Sequence, residues 1–582
     1  MTSIDVRAAA DERVPAATSP TPVRHARRNA LTPWLLPLAA VLCWALSAGS
    51  LADAPPSDLG LLFAASPLFA VAIVLAVLGF AFAVHRDDTP AAVVSILAVT
   101  LAQRTATLIG TDVPMYTWTY KHLGVTELIQ QEHASARGLD IYNGWPGLFA
   151  ATAWVSELTG ISATTVAHWS TILVHLAMVG LFYCTARAWR LDPAAALTAT
   201  MLFEVLNWVA QDYFAPQALA LVLTLAFLTL VGAAREHPVA VAPTLVLFAG
   251  IVVTHQLTPY WLLLVLGALT VFRLVRPWWL VCVCAAMALA FLAYNWDSAG
   301  DFATFSFDLA ENSKSNLSGA DLNPASGQVV TSTVMRILTA TVLGASVLSV
   351  IWLRRKRYPV LPLAILAFAP LAILGGQGYG GEAIFRIFLY CLVGCCLLLA
   401  IPTTRLLRSS GLGACIGAVV LVAVTTASAQ AYLGAWFAYL VKPSYVAAAS
   451  DLLAHGTVPA VLRLPSPAWP DRPTSDYVRF ARADPKFDTW PFDVTDLHGI
   501  SFDNDADYAA FESAFVDRQR VTYFAMSDQM VFYNRYFGLL PAEALPNLET
   551  RIRADPEWLV VDEGDDYVVF EHRPTVVNGA TR

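Results

Sequence analysis

This chain is short of charge. Of its 582 residues only 14% are Asp, Glu, Lys or Arg, whereas a soluble globular chain carries about 25%. With 57% hydrophobic residues and a mean hydropathy of +0.56, that deficit excludes a soluble fold and marks a polytopic membrane protein. The net charge is −8 and no basic face can be assembled from the sequence, so nucleic acid is not an expected partner. Residues 435–582 contain no cysteine; all eight (43, 184, 282, 284, 391, 395, 396 and 415) fall in apolar segments. A disulfide framework or a cysteine-based metal site in that polar region is thereby excluded. No Walker A sequence, no GxGxxG after a strand, no HExxH and no GxSxG occurs. ATP-driven transport, dinucleotide redox chemistry and metalloprotease chemistry lose their support with them.

What the chain has is apolar runs of roughly 20 residues, enough to cross a bilayer. They recur near 32–52, 61–84, 91–110, 163–186, 194–211, 216–234, 238–255, 257–274, 278–296, 329–353, 359–376, 382–400 and 411–434, about thirteen in all. Residues 1–29, rich in Ala, Thr, Pro and Arg, read as a disordered cytoplasmic tail. The SLADAP that closes the first run looks like a signal-peptide cleavage site; the long preceding region favours an uncleaved anchor. Arginines fall in alternate short loops (Arg86, Arg187, Arg190, Arg235, Arg273, Arg276, Arg354–Arg357, Arg405, Arg408), which places the N-terminus in the cytoplasm.

The opposite, outer face then collects loop 111–162, the QDYFAPQ turn, THQLTPY, GGQGYGGEAIFR and an Asp-, Asn- and Ser-rich segment, 297–328, expected to be mobile. In loop 111–162, Trp118, Val125, Leu128 and Ile129 share one helical face. That helix is expected to lie on the membrane surface, as is the short segment 146–158. Residues 435–582 alternate helical stretches (Ser444–His455, Ala506–Arg518, Ala542–Ala554) with β-rich runs (Val458–Leu464, Val521–Phe524, Trp558–Val561, Tyr567–Glu571). The expected fold class is therefore mainly α: a transmembrane helical bundle over 30–434 and a small extracytoplasmic α/β domain over 435–582.

Three constellations could carry chemistry. Asp112, immediately after a span, and Asp140, before YNGWPG, place carboxylates where a general base could reach an incoming hydroxyl; an ordinary solvated acid is the bland alternative. Glu132 and His133 are weaker helpers. Glu204, Asn207 and Gln211 recur at i, i+3 and i+7, followed by Asp212 and Tyr213, giving one span a polar outer face. Ionisable groups in a bilayer line a cavity or pair with something, and interhelical hydrogen bonding is the alternative to function. The cations form the third set. Arg386 follows Glu382 by one turn and either makes a simple i, i+4 salt bridge or holds a lipid phosphate with its planar fork. Arg104 lies about 9 Å below the outer end of its span, and either snorkels upward or faces the same cavity. His255, in THQLTPY, is a proton shuttle, a metal ligand or a satisfied core histidine.

The order of parts resembles the GT-C superfamily of polytopic glycosyltransferases. The resemblance rests on the long outer loop with an acid at its start, YNGWPGLFAATAWVSELTG, a span ending CTARAWR, and the stretches NWVAQDYFAPQA, THQLTPY and GGEAIFR. It covers roughly residues 91–434. It implies inverting transfer of a sugar from a polyprenyl-phosphate donor to a cell-envelope glycan or lipid acceptor at the outer face of the plasma membrane. On that resemblance Asp112 matches the loop acid that serves as base, with Asp140 and Asp212 as further catalytic candidates. Arg386 and Arg104 would bind the donor phosphate, supported by Glu204, Tyr213, His255 and Glu382. Val113 follows Asp112, so the adjacent acidic pair seen in several branches is absent, and a divalent cation is left open as cofactor. The rival reading is a non-enzymatic transporter or scaffold for envelope polymers, with the polar stripes as a translocation path.

Overall fold

The computed structural model describes residues 32–234, 237–299, 323–375, 383–488, 497 and 499–574. The expected N-terminal tail, most of segment 297–328 and Glu382 lie outside these residues. Among the described residues, eight helices are long and apolar enough to cross a membrane: Thr32–Ala52, Pro67–His85, Thr89–Ile109, Ala163–Ala188, Pro216–Ala234, Ser326–Arg355, Ile384–Leu407 and Leu412–Ala438. Shorter apolar helices, Pro193–Leu206, Pro238–Thr254, Thr258–Val271, Leu280–Tyr294 and Leu361–Ile373, fall where the remaining apolar runs were expected.

The loop chemistry explains where these helices start. Asp88 caps the helix Thr89–Arg104 by accepting from the amide of Ala91 (3.1 Å), and Asp192 caps Pro193–Leu206 through the amides of Ala194 and Ala195. Each cap is followed within two residues by proline, whose fixed φ suits the first helical turn and whose missing N–H costs nothing there. Ser66–Pro67 does the same, so the second span starts at Pro67 and not at 61.

Burial separates the bundle's centre from its rim. In Ile384–Leu407 and Thr89–Ile109, 72% and 67% of the most apolar window is buried, against 22% in Thr32–Ala52 and Ser326–Arg355. The rim helices turn Leu35, Leu38, Leu42, Leu46 and Leu348 outward, a surface that only lipid satisfies.

Beyond the last span, a four-stranded sheet runs in the order β1 (Ala460–Arg463), β2 (Val521–Ser527), β4 (Tyr567–His572), β3 (Trp558–Glu563). β1 and β2 are parallel, Ala460 facing Val521; the other pairs are antiparallel. Every residue of central β2 is buried. Its Phe524 packs in a cluster with Phe511, Phe515 and Trp558, ring centroids 5.0–6.2 Å apart.

The outer-loop helix Thr117–Glu132 turns its apolar face to protein and not to lipid. Its apolar face is as expected, but Val125 and Leu128 are buried in the same core as Tyr445, Tyr477 and Phe480 of the C-terminal region. A protein surface was available to that stripe, and burying each such side chain is worth about 1.5–3 kcal/mol. The next helix, Gly147–Thr159, does leave an apolar face open: Trp154 and Leu158 are exposed, as an interfacial helix requires.

Candidate active site

The polar face expected over 204–211 is broken. The helix stops at Leu206, and residues 207–215 run without regular structure until Pro216. Helix ends leave carbonyls without intrahelical partners, and irregular backbone at membrane depth is tolerated only where protein satisfies it. Arg104 does so here: its Nη2 donates to the carbonyls of Glu204 (2.9 Å) and Asn207 (2.8 Å). Its Nε donates to Glu204 Oε1 (3.0 Å) and its Nη1 to Asp212 Oδ2 (3.3 Å). The guanidinium also lies over the ring of Tyr432, 4.3 Å from its centroid. Arg104, expected to hold a donor phosphate, thus has all three of its nitrogens committed within the protein.

His175, from the span Ala163–Ala188, completes the cluster. Its Nδ1 is 2.8 Å from Glu204 Oε2 and its Nε2 is 2.9 Å from Asp212 Oδ2. An imidazole set between two carboxylate oxygens donates through both nitrogens as imidazolium, which balances the cluster at two cations and two anions. Arg104, His175, Glu204 and Asp212 are all at most 2% exposed. Asp212 Oδ2 accepts a third bond from the Tyr432 hydroxyl (2.9 Å), while Oδ1 is buried with no hydrogen-bond partner among the described residues. His175 and Tyr432 were not among the expected residues. A lone histidine inside TILVHLAMVG carried the same signal as Glu204, a titratable group at membrane depth.

Asp112 is exposed, in the turn before Thr117–Glu132, within electrostatic reach of His168. Beside it lies a small crevice bordered by Thr107, Met115, Tyr116, His168, Thr171 and Tyr213. Tyr116 has φ 70° and ψ 122°, a conformation costly for a bulky side chain. It is held by its amide bond to the carbonyl of Tyr439 (3.2 Å) and by ring contacts with Tyr213 (5.0 Å) and Tyr439 (5.3 Å). Tyr116 also lies within electrostatic reach of Asp212, so the strained turn stands between the exposed acid and the buried one.

Asp140 is placed elsewhere. Its Oδ1 caps the turn Ile141–Gly144 by accepting from the amide and side chain of Asn143, and its Oδ2 accepts from Arg472 (2.7 Å) and Tyr477 (3.3 Å). Arg472 in turn grips Asp488 with two bonds of 2.8 Å, and Lys121 lies 2.9 Å from both Asp471 and Asp488. This buried lattice joins the outer loop to the C-terminal region, and Asp140 is one of its members. Burial pushes the Asp471 carboxyl up to about 7. For Asp488 burial acts the same way but is outweighed by Arg472 and Lys121, which hold its carboxyl well below the usual range. His122 donates from Nδ1 to the carbonyl of Phe214 (2.7 Å), and burial lowers its pKa to about 4.

Arg386 sits in the first turn of Ala383–Leu407, between Phe385 and Phe388, whose rings pack on Trp208 in the broken stretch (6.0 and 5.1 Å). It is within electrostatic reach of His255. His255 Nδ1 accepts from the amides of Leu257 and Thr258 (3.3 and 3.2 Å), so its proton is on Nε2. A chain of hydrogen bonds continues from it: the Thr258 hydroxyl meets the Tyr390 hydroxyl, which donates to the Gln217 amide oxygen. His255 is accordingly a helix-capping histidine. As for a metal, the described residues contain no group of three or more His, Cys, Asp or Glu side chains able to hold one. Glu204 and Asp212 spend three of their four oxygens on Arg104, His175 and Tyr432, which leaves this cluster one carboxylate oxygen, Asp212 Oδ1, without a partner among the described residues.

No protein-family model matches the chain, and no curated protein matches it. Among solved structures it is similar to ArnT from Cupriavidus metallidurans bound to undecaprenyl phosphate (13% identity, TM-score 0.45, covering 84% of this chain and 99% of that one). The same protein in the apo state gives 12% and 0.44, covering 82% and 97%. The Archaeoglobus fulgidus oligosaccharyltransferase, tethered with an acceptor peptide, gives 13% and 0.45, covering 78% and 71%.

Proposed function

We propose that this protein is a membrane glycosyltransferase of the GT-C kind, moving a sugar from a polyprenyl-phosphate donor to a cell-envelope acceptor at the outer face of the plasma membrane. The observation that carries this reading is the mutual pairing of Arg104, His175, Glu204 and Asp212 at membrane depth. A translocation path needs polar groups turned toward a route through both leaflets. These close on one another, which favours a site worked from one side.

Asp112 is the general base for the acceptor hydroxyl, supported by its exposure at the start of the loop. The hydroxyl proton passes to Asp112, the oxygen attacks the anomeric carbon, and the polyprenyl phosphate leaves with the bonding pair from the opposite face of the sugar, inverting it. Arg386 stabilises that departing phosphate; charge stabilisation of this kind is usually the largest catalytic contribution. Arg104 and His175 are positioning residues, which lock Asp212 with one oxygen engaged and the other bare. The test is transfer of radiolabelled sugar from polyprenyl phosphate by purified full-length protein. Donor-dependent product is expected, and its absence across a panel of polyprenyl-phosphate sugars would remove the reading.

A further inference from the structure

A second site lies a helix length from the charge network. The helix Pro216–Ala234 begins beside Asp212 and ends, about 27 Å on at 1.5 Å per residue, at a cavity of about 850 Å3. The loop 272–279, Pro238 and the near ends of Val241–Thr254 and Thr258–Val271 line it with Ala234. Its wall is apolar (Val241, Val275, Trp278, Trp279) apart from a few polar groups, of which the charged ones among the described residues are Arg273 and Arg276. The size is that of a small-molecule site.

Three other arginines at this end of the bundle have partners. Arg187 donates to the carbonyl of Leu191 (2.6 Å), Arg408 pairs with Asp87, and Arg405 lies over the rings of Trp352 and Tyr358. Arg273 and Arg276 are exposed, and among the described residues neither has an acidic partner. Two guanidinium groups thus share a concave apolar wall with two tryptophans, 69% and 41% exposed. Guanidinium groups match phosphate by paired hydrogen bonds, and tryptophan favours the headgroup level of a bilayer. We infer that this cavity binds one anionic glycerophospholipid from the arginine-side leaflet, its phosphate held by Arg273 and Arg276 and its upper acyl chain lying along Trp278 and Val275. The inference stands on charge complementarity and is independent of the transferase reading.

The experiment uses full-length protein in mixed micelles of phosphatidylcholine with graded phosphatidylglycerol, and counts retained lipid by native mass spectrometry. One phosphatidylglycerol per protein is expected, with phosphatidylcholine at least tenfold weaker. The double variant Arg273→Gln/Arg276→Gln should weaken retention at least tenfold while unfolding as wild type does in phosphatidylcholine alone. If that variant does not fold, Arg276→Gln alone carries the test, with about a fivefold loss expected. Arg354→Gln/Arg355→Gln, at the same end but outside the cavity, should retain the lipid. Equal retention of both lipids, unchanged retention in the Arg273/Arg276 variants, an equal loss in the Arg354/Arg355 control, or retention of polyprenyl phosphate in place of phosphatidylglycerol would each overturn the inference.

Discussion

Arg104 holds Glu204 twice, through the carboxylate at 3.0 Å and through the backbone carbonyl at 2.9 Å. One side chain therefore fixes both where a helix ends and where its last acid points. Lysine keeps the charge but cannot span two carboxylates and two carbonyls at once. Hydrogen bonds to charged groups contribute about 1.5–3 kcal/mol each, so Arg104→Lys should cost about 3 kcal/mol or more. Thermal unfolding in detergent reads this, and an unchanged midpoint would show that the helix break is held by something else.

Asp112 and Asp140 should respond differently to the same change. Asp112→Asn removes a proton acceptor from an exposed turn; turnover should fall by at least about a hundredfold at nearly constant donor affinity. Asp140→Asn leaves turnover within a few-fold but weakens the bond to Arg472, and should speed hydrogen exchange in Thr117–Glu132. Normal turnover in Asp112→Asn would pass the base assignment to Asp212.

The pH dependence of the loop lattice has two opposing parts. Asp471 is raised from 3.8 to about 7, so between those values the folded state binds the extra proton and stability falls as pH rises. His122 is lowered from 6.5 to about 4; there the unfolded state binds the extra proton, and stability rises with pH over that window. Asp471→Asn should therefore make the slope of stability between pH 4 and 7 more positive, and His122→Gln more negative. Melting curves at several pH values test both, and parallel curves for wild type and Asp471→Asn would exclude the first.

The C-terminal sheet should face outward. Alternating arginine loops predict this, and Ala483, exposed at the end of Tyr477–Ala483, offers a probe. Ala483→Cys should react with an impermeant maleimide on intact cells. Ser527, the last residue of β2, is unsuitable because it is buried and caps Asp528–Phe537. Labelling of Ala483→Cys only after lysis would reverse the topology and move the chemistry to the other face.

The apolar runs, the arginine-bearing loops and the four β-rich stretches were legible in the sequence because each depends on local composition and period alone. Glu204, Asp212 and Arg104 stood out for the same reason: a charge among apolar neighbours is visible without a fold. What the sequence could not decide was their partners. His175 is 29 and 37 residues from the acids it bridges, and Arg472 is 332 residues from Asp140. Nor could it decide what covers an apolar stripe. Val125 and Leu128 have the same pattern whether they meet lipid or protein, and only the arrival of the C-terminal region over the outer loop settled that they share a core with Tyr445 and Phe480. Hydrophobic burial is non-directional, so sequence determined that this face is buried, and tertiary structure determined against what.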